Sequence, residues 1–407
     1  MKHTILFFAY SEWSNWRGHH DLVMELSNNN RVAFIEVMPR YGGKGAKKFS
    51  DYLRNYRNGE AKFISDNLVV IPSPPMMPYA LPIISKIWRK KIAELSIKLS
   101  KKLQSWYVKK RIRDLGWDPT IVIFCEALDL SNAGQFGESI YCYRTYDEIA
   151  NFFSNRYIAD VIDEIEGKNI HKVDIVFASS KAQLEKRKAL HPRVFLVPNA
   201  GNFRHYNKAV TDKLERPSDI KNILPPIIGL ISTIDFRIDF ALLEAVAKSH
   251  SEWSLVIIGP LREYSFEGWK ESINNLKSLC NVHFLGKRDF RVLPAYMKCF
   301  DIGIIPFLVN PVTNTMYPYK LHEYLAAGLP VVSTDLHELE PFKEIVRLAK
   351  SKDEFIKLIE EELQTNSLSK IQKRIEAASQ NDWAVRAEQM LFLADKKGYQ
   401  TNYGRHN

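Results

Sequence analysis

The sequence predicts an α/β protein built from two doubly wound, Rossmann-like domains of similar size. Short apolar runs alternate with helical patterns in both halves, which is typical of parallel sheets with helices on both faces. The chain has 407 residues, whereas a single hydrophobic core stops growing at roughly 250–300 residues. A polar, proline-containing stretch at residues 216–226 interrupts the alternation. We therefore expect two sheets whose carboxyl ends face a cleft between the domains.

The first half begins with an apolar run that predicts a strand, and an amphipathic helix over residues 17–27 follows it. Residues 40–66 are loop-like, and their glycine run at 42–45 fits neither nucleotide-loop fingerprint. The predicted strands of this half are residues 4–9, 31–37, 68–71, 120–124, 140–143, 175–178 and 194–197.

The second half repeats the alternation after a turn cluster at residues 198–202. Its predicted strands are residues 227–231, 254–258, 282–285, 302–306 and 331–333, and its predicted helices are 241–249, 269–279, 293–299, 353–364, 368–379 and 382–395. We place the domains at residues 1–205 and 206–381. Residues 382–407 form a C-terminal helix and tail that can cross back to the first domain.

The composition indicates a globular protein, because 45% of the residues are hydrophobic and 12% are aromatic. No run approaches the roughly 18 apolar residues that a transmembrane helix needs. The apolar core at the N-terminus is too short for a signal peptide. The cysteines lack metal-ligand spacing and are expected to be reduced core residues, which favours a cytoplasmic location. They are Cys125, Cys142, Cys280 and Cys299.

The net charge of +10 is concentrated in one segment. Residues 81–117 hold eleven basic residues against Glu94 and Asp114. Apolar residues recur at helical spacing in the same segment, including Trp88 and Trp106. Residues 76–113 are therefore predicted to bind an anionic membrane surface. The alternative is an ordinary domain helix with a basic solvent face, and both interpretations stay open. Confinement of the charge to one amphipathic segment argues against a nucleic-acid partner.

Residues 314–333 predict a loop, a short helix and a buried strand in succession. Pro318 suits the first helical position, and Gly328 suits the position just after the helix. Lys320 lies in the first turn, where backbone N–H groups already favour an anion. Glu323 follows on the same face and can accept hydrogen bonds from two ribose hydroxyls. This pattern predicts a nucleoside diphosphate site, although Lys and Glu at this spacing also form ordinary surface ion pairs.

Five stretches of the sequence fit one family. They are residues 197–202, 228–232, 282–286, 293–296 and 324–332. On these stretches the chain resembles glycosyltransferases of the GT-B fold, in particular the family-four-like group of bacterial polysaccharide and cell-wall enzymes. The Pro-Tyr-Lys-x-x-Glu form at 318–323 is similar to a subgroup that includes xanthan glucuronosyltransferase and teichuronic-acid transferases.

The resemblance implies a set of donor-binding residues. Glu323 would bind the ribose of a nucleotide sugar, and Lys320 would contact its diphosphate. Gly229 and Ser232, with Ile231 between them, would form the loop beneath the phosphates, and backbone at 283–286 would receive the base. The donor set also includes Tyr317 and Tyr319. UDP is the preferred nucleotide by family frequency, and neither a metal nor another cofactor is expected.

One family position differs in this chain. The family often carries a second glutamate eight residues before the ribose-binding one, and Thr315 stands there. The resemblance therefore does not define a retaining or an inverting outcome.

Two places in the first domain are candidates for acceptor chemistry. Asp147 follows a predicted strand, so it can act as general base toward an acceptor hydroxyl, or it can cap the next helix. His20 lies after the first strand and can act as a base, although paired histidines at a helix start are also common packing or capping residues. Arg17 and Trp16 beside it are predicted to bind the acceptor, with Arg17 suited to an acidic group or a phosphate.

The leading hypothesis is a glycosyltransferase that moves a sugar from a nucleotide-sugar donor to a lipid-linked, oligosaccharide or polysaccharide acceptor in cell-surface glycan biosynthesis. It would work in the cytoplasm, peripherally on the inner face of the cell membrane. One alternative is a nucleotide-sugar epimerase of the same fold. Another is a non-catalytic basic adaptor that binds membranes.

Overall fold

A computed structural model describes residues 2–39, 61–76, 86–137, 139–146, 156–262 and 268–403. The chain divides into two compact units, and each contains a mostly parallel sheet with helices, as the α/β prediction requires. The first unit combines residues 1–198 with residues 386–407, and the second unit is residues 199–385.

The first unit contains an eight-stranded sheet in the order β3-β4-β2-β1-β5-β6-β7-β8. All neighbouring strands are parallel except β3 and β4. The strands are β1 Thr4–Phe8, β2 Arg31–Ile35, β3 Lys62–Ser65, β4 Leu68–Ile71, β5 Ile121–Phe124, β6 Ile140–Arg144, β7 Ile175–Ala178 and β8 Val194–Leu196. The helices of this unit are α1 Gly18–Ser27, α2 Lys86–Asp114, α3 Arg156–Asn169 and α4 Lys181–Lys188, and a 3-10 helix spans Ala127–Asn132.

The second unit contains a six-stranded, fully parallel sheet in the order β11-β10-β9-β12-β13-β14. The strands are β9 Ile227–Ile231, β10 Ser254–Ile258, β11 Val282–Gly286, β12 Ile302–Ile305, β13 Val331–Thr334 and β14 Arg347–Ala349. The helices are α5 Phe203–Tyr206, α6 Lys208–Thr211, α7 Phe240–Ser249, α8 Trp269–Lys277, α9 Leu293–Met297, α10 Lys320–Ala326, α11 Lys352–Thr365 and α12 Leu368–Ser379.

The last helix, α13 Trp383–Tyr403, belongs to the first unit from Arg386 onwards. Asp395 on α13 forms an ion pair with Lys2, and its Oδ1 lies 3.1 Å from His3 Nε2. The Gln389 amide donates to the carbonyl oxygen of Leu196 at 3.2 Å. Helix α13 therefore contacts both the start of the first unit and the end of its strand β8.

Two strands differ from the sequence analysis. β3 lies in a stretch expected to be loop, and β14 was not expected. Both are edge strands, and β3 is largely exposed, so neither carries the continuous apolar run of a buried strand. The buried strands were predicted because both of their faces are covered, as in β4 and β5.

Candidate functional site

The second unit brings several predicted donor residues to the carboxyl edge of its sheet. β9 ends at Ile231 and β12 ends at Ile305, and α10 begins after the loop that follows β12. In open parallel sheets this edge is where ligands bind. The site is therefore built by the end of β9, the end of β12 and the start of α10.

Helix α10 begins at Lys320, two residues later than the sequence predicted. Pro318 lies before the helix, and its carbonyl accepts from the Leu321 N–H at 3.1 Å. The end of the helix is as predicted, because Gly328 has φ 73°. The N–H groups of Gly328 and Leu329 donate at 3.0 Å to the carbonyls of Leu325 and Tyr324, which is a Schellman ending.

Lys320 is the buried cation of this site. Its side chain donates from Nζ to Ser232 Oγ at 2.7 Å, and Nζ lies 4.4 Å from the centre of the Phe307 ring. Burial and the positive charge of Arg237 together lower the pKa of Lys320 to about 7, although the charges of Glu323 and Asp235 act to raise it. A buried ammonium group gains most from an anionic ligand, because an anion favours its charged form.

Asp235 and Arg237 belong to the site but were not singled out from the sequence. The Asp235 carboxylate is buried and accepts two hydrogen bonds from the Arg237 guanidinium, both at 2.8 Å. The guanidinium carbon lies 5.5 Å from the centre of the Phe307 ring. Arg237 and Lys320 thus contact the same aromatic ring. The signal in the sequence was a charged pair two residues apart, just after a strand.

The expected role of Gly229 is corrected by the structure. Gly229 lies inside β9, and a Cβ atom there would be 2.0 Å from the Phe300 ring, so its small size serves core packing. The close approach occurs at Gly259, which has φ 145°. A Cβ atom on Gly259 would be 1.7 Å from the carbonyl oxygen of Ser232. Gly259 is therefore the glycine that permits the position of the Ser232 loop.

Tyr324 joins α10 to the end of β9. Its hydroxyl accepts a hydrogen bond from the Ile231 N–H at 2.8 Å. Its ring packs directly against Gly303, where there is no room for a larger side chain. Burial raises the pKa of Tyr324 well above its usual range, so the hydroxyl stays neutral. Glu323, the predicted ribose ligand, is half-buried one residue earlier. The structure therefore places Lys320 and Glu323 on a helix that is fixed to the sheet.

The two predicted tyrosines differ in their surroundings. Tyr317 is buried, and its hydroxyl is 2.9 Å from His322 Nε2. Its carbonyl accepts from the Asn199 side chain at 3.1 Å. Tyr319 is half-buried and precedes the first residue of α10. Thr315, which stands at the family's glutamate position, donates its hydroxyl to the Val312 carbonyl at 2.8 Å.

In the first unit, His20 is enclosed by aromatic rings. Trp16 stacks on it with 5.1 Å between ring centres. His20 is fully buried, and its Nδ1 accepts from the N–H of Arg17, which caps α1, at 2.9 Å. Burial lowers the pKa of His20 to about 4. The hydrogen bond to the Arg17 N–H gives His20 the capping role that the sequence analysis left open. A buried imidazole with a pKa of about 4 is also a weak base, which argues against a catalytic role.

The neighbouring predicted acceptor residues are more accessible. Trp16 and Arg17 are half-exposed, and Trp16 Nε1 donates to Asp21 at 3.3 Å. His19, which the sequence analysis did not select, is buried with its Nε2 3.1 Å from Ser11 Oγ. Asp147 lies outside the described residues.

Asp147 follows Tyr146 and Arg144, which the structure describes. The Arg144 guanidinium lies over the Tyr146 ring at 4.7 Å and donates to the Val197 carbonyl at 3.0 Å. Burial raises the pKa of Tyr146 well above its usual range. Buried Arg144 and half-buried Tyr146 thus pack against each other between the end of β6 and Asp147.

A match to a known protein family covers part of the second unit. Residues 227–364 match the family of glycosyl transferases group 1, and the whole chain has the GT-B fold of glycosyltransferases. Within the described ranges we find no cluster of three or more His, Cys, Asp or Glu side chains that could hold a metal ion. None of the helices in these ranges combines the length and apolar character of a transmembrane span.

The chain is 30% identical over 182 residues to TuaH of Bacillus subtilis (strain 168), a protein that carries the assignment of a teichuronic acid biosynthesis glycosyltransferase. That alignment covers 43% of this chain and 44% of TuaH, so it spans less than half of the relative's length.

Solved structures resemble the chain over nearly its full length. Sucrose-phosphate synthase from Thermosynechococcus elongatus has a TM-score of 0.67 at 12% identity, covering 99% of this chain and 100% of that chain. HepE of Anabaena, solved with UDP and glucose, has a TM-score of 0.61 at 16% identity, covering 96% and 98%. At these identities the likeness establishes the fold alone.

Proposed function

We propose that this protein is a nucleotide-sugar-dependent glycosyltransferase. The observation that carries the proposal is the position of Lys320, a buried cation 2.7 Å from Ser232 Oγ at the carboxyl edge of the sheet. Both residues lie in the region that matches the glycosyl transferases group 1 family. A buried lysine of lowered pKa and a neighbouring hydroxyl suit the diphosphate of a donor.

In this proposal Lys320, Arg237 and Ser232 bind the diphosphate and Glu323 binds the ribose. Arg237 is oriented by its two hydrogen bonds to Asp235, so its guanidinium reaches the ligand without a large loss of side-chain entropy. UDP is the preferred nucleotide. Support for UDP comes from HepE, a protein of the same fold that was solved with UDP and glucose.

The chemistry would rest on stabilising the leaving group. As the bond between the sugar and the diphosphate breaks, negative charge grows on the phosphate oxygens. Lys320 and Arg237 are fixed cations that stabilise this charge without reorganisation during the reaction. Because two cations already supply this charge, we propose that transfer needs no metal. Activity in EDTA equal to activity in Mg²⁺ is the expected result, and loss of activity in EDTA would contradict it.

We propose a lipid-linked or polysaccharide acceptor of the cell surface, bound by the first unit. The assignment of TuaH to teichuronic acid biosynthesis supports an acceptor of this kind. Asp147 would accept the proton of the attacking hydroxyl. Half-exposed Trp16 and Arg17 would contact the acceptor, through ring stacking and through charge. We also propose that the protein works peripherally at the inner face of the membrane.

Thermal unfolding with UDP, GDP, CDP and ADP tests the donor site. A ligand that binds only the folded state raises the melting temperature by mass action. We expect one diphosphate to stabilise the protein, and Glu323→Gln to reduce that shift. Glu376→Gln is the matched control, because Glu376 is exposed on α12. The absence of a shift with every nucleotide would contradict the proposal.

The epimerase alternative predicts a different product. An epimerase converts the nucleotide sugar without an acceptor, whereas a transferase consumes donor in proportion to the acceptor added. Product analysis with and without acceptor separates the two activities. The match of residues 227–364 to glycosyl transferases group 1 favours the transferase over both the epimerase and the non-catalytic adaptor.

A further inference from the structure

Helix α2 buries several polar side chains beside apolar ones such as Ile97 and Val108, and it leaves other apolar side chains exposed. Four apolar side chains on α2 face solvent at spacings of four, four and three residues, so they form one line along the helix. They are Leu95, Leu99, Leu103 and Trp106, with exposed fractions of 57%, 43%, 37% and 59%, and we call them the leucine–tryptophan stripe. The buried face of the same turns contains Ser96, Ser100, Lys101, Gln104 and Ser105. A contiguous exposed apolar line of this kind indicates an interaction surface.

The buried polar side chains fix this orientation. Lys101 is buried, and its Nζ pairs with the buried carboxylate of Asp129 and donates to Gln104 Oε1 at 3.2 Å. The Gln104 amide also donates to Ser73 Oγ at 2.8 Å. Rotating the helix to bury the stripe would break the ion pair and leave a charge unpaired in the interior, which is costly. The outward position of the stripe is therefore built into the first unit.

From Lys91 to Arg113, the exposed face of α2 carries apolar and basic side chains. Between residues 91 and 113, every exposed residue of the helix is leucine, tryptophan, lysine or arginine. The basic ones are Lys91, Lys98, Lys102, Lys110 and Arg113. Glu94 is the acidic residue of this stretch, and it is half-buried. An apolar line flanked by cations, with tryptophan beside it, fits the boundary between lipid headgroups and acyl chains.

We propose that the leucine–tryptophan stripe inserts into the surface of an anionic phospholipid bilayer, with the five basic residues contacting the headgroups. The charge argues for this occupant over a second copy of the chain, since two copies would bring the same cations together. The role of this membrane contact rests on the proposed function, because a lipid-linked acceptor lies at a bilayer. A first unit anchored in this way holds its carboxyl-edge residues near an acceptor that is itself linked to lipid.

Vesicle co-sedimentation of the full chain tests the stripe. The vesicles are phosphatidylcholine alone, and phosphatidylcholine mixed with phosphatidylglycerol. We expect the wild type to sediment with the mixed vesicles, and Leu99→Ser/Trp106→Ser to bind them at least about tenfold more weakly. Leu368→Ser should bind like the wild type, because Leu368 is 85% exposed on α12 of the second unit. Equal binding by the double variant would overturn the proposal.

A second comparison tests the charge. Lys98→Gln should weaken binding to the mixed vesicles by about fivefold, since one lysine near an anionic surface contributes about that factor. Lys373→Gln, on the exposed face of α12, should leave binding unchanged. A wild type that binds pure phosphatidylcholine equally well would overturn the anionic-lipid assignment. A dimer seen by light scattering that the double variant abolishes would assign the stripe to a second copy instead.

The thermal shift with UDP separates this inference from the proposed function. A double variant that loses vesicle binding and keeps the wild-type UDP shift is folded, with its donor site intact, and supports the inference. If the wild type binds mixed vesicles but shows no shift with any nucleotide, the proposed function fails while the lipid-binding stripe stands.

Discussion

The Tyr324 hydroxyl accepts a hydrogen bond from the main-chain N–H of Ile231 at 2.8 Å. This contact joins the middle of α10 to the last residue of β9, and it crosses the sheet edge where Lys320 meets Ser232. The position of the cation relative to the Ser232 loop therefore depends on one buried phenol.

Tyr324→Phe should lower the free energy of unfolding by about 1–2 kcal/mol, because the partly buried Ile231 N–H loses its acceptor. The UDP-dependent rise in melting temperature should also shrink, since α10 would be held less firmly. Urea denaturation measures the free energy of unfolding, and thermal unfolding with and without UDP measures the shift in melting temperature. An unfolding free energy equal to that of the wild type would mean that this hydrogen bond does not stabilise the fold.

Lys320 should make stability depend on pH in the alkaline range. Its pKa is lowered from 10.5 to about 7, so between these values the unfolded chain binds more protons than the folded one. The free energy of unfolding therefore rises with pH between pH 7 and 10.5. Below pH 7 Lys320 is charged in the folded protein, and the full destabilisation that comes from burying this charge is present. The cost is on the order of 5 kcal/mol at most.

The comparison of wild type with Lys320→Met isolates this effect. We expect the stability of the wild type relative to the variant to increase from pH 7 to pH 10, as measured by urea denaturation. UDP binding should weaken over the same range, because the diphosphate favours charged Lys320. A stability difference independent of pH would show that Lys320 titrates normally in the folded protein.

Gly259→Ala should be strongly destabilising. The added Cβ would lie 1.7 Å from the Ser232 carbonyl oxygen, and φ is 145°, where side chains are rarely tolerated. We expect a loss of at least about 3 kcal/mol. Gly167→Ala is the matched control, since Gly167 is helical and a Cβ atom there would meet no neighbouring atom within 4 Å. Thermal unfolding of both variants measures the difference.

His20 should make the protein sensitive to acid. Its pKa falls from 6.5 to about 4 on folding, so below pH 6.5 the unfolded chain binds more protons. The contribution of neutral His20 to the free energy of unfolding is therefore fully present above pH 6.5. It is lost as the pH falls toward 4, by an amount on the order of 3 kcal/mol. His20→Gln should flatten the decrease in unfolding free energy between pH 6.5 and 4. An equally steep decrease in the variant would assign the sensitivity to other groups.

The buried strands and helix α10 could be predicted because their signals are local. Buried parallel strands are continuous apolar runs, and the end of α10 is marked by Gly328 with its positive φ. Lys320 and Ser232 were both expected at the donor site, and the structure brings them together. The Asp235–Arg237 pair was missed because its meaning depends on Phe307, which is distant in sequence.

The orientation of α2 could not be predicted from periodicity. A helix with two apolar lines gives no local signal for which line faces the core. The structure buries Ile97 and Val108 and leaves Leu99 exposed, because the pairing of Lys101 with Asp129 determines the rotation of the helix. That pairing joins two elements far apart in the chain.

The return of α13 to the first unit has a consequence for synthesis on the ribosome. The first unit lacks its final helix until residues 199–385 have been translated, which takes roughly 10–40 seconds at typical rates. During that interval the nascent N-terminal sheet exposes the surface that Asp395 and Gln389 later cover. The second unit, by contrast, is continuous and can fold as soon as it emerges. In the cell, the part of the protein made first is thus the part completed last.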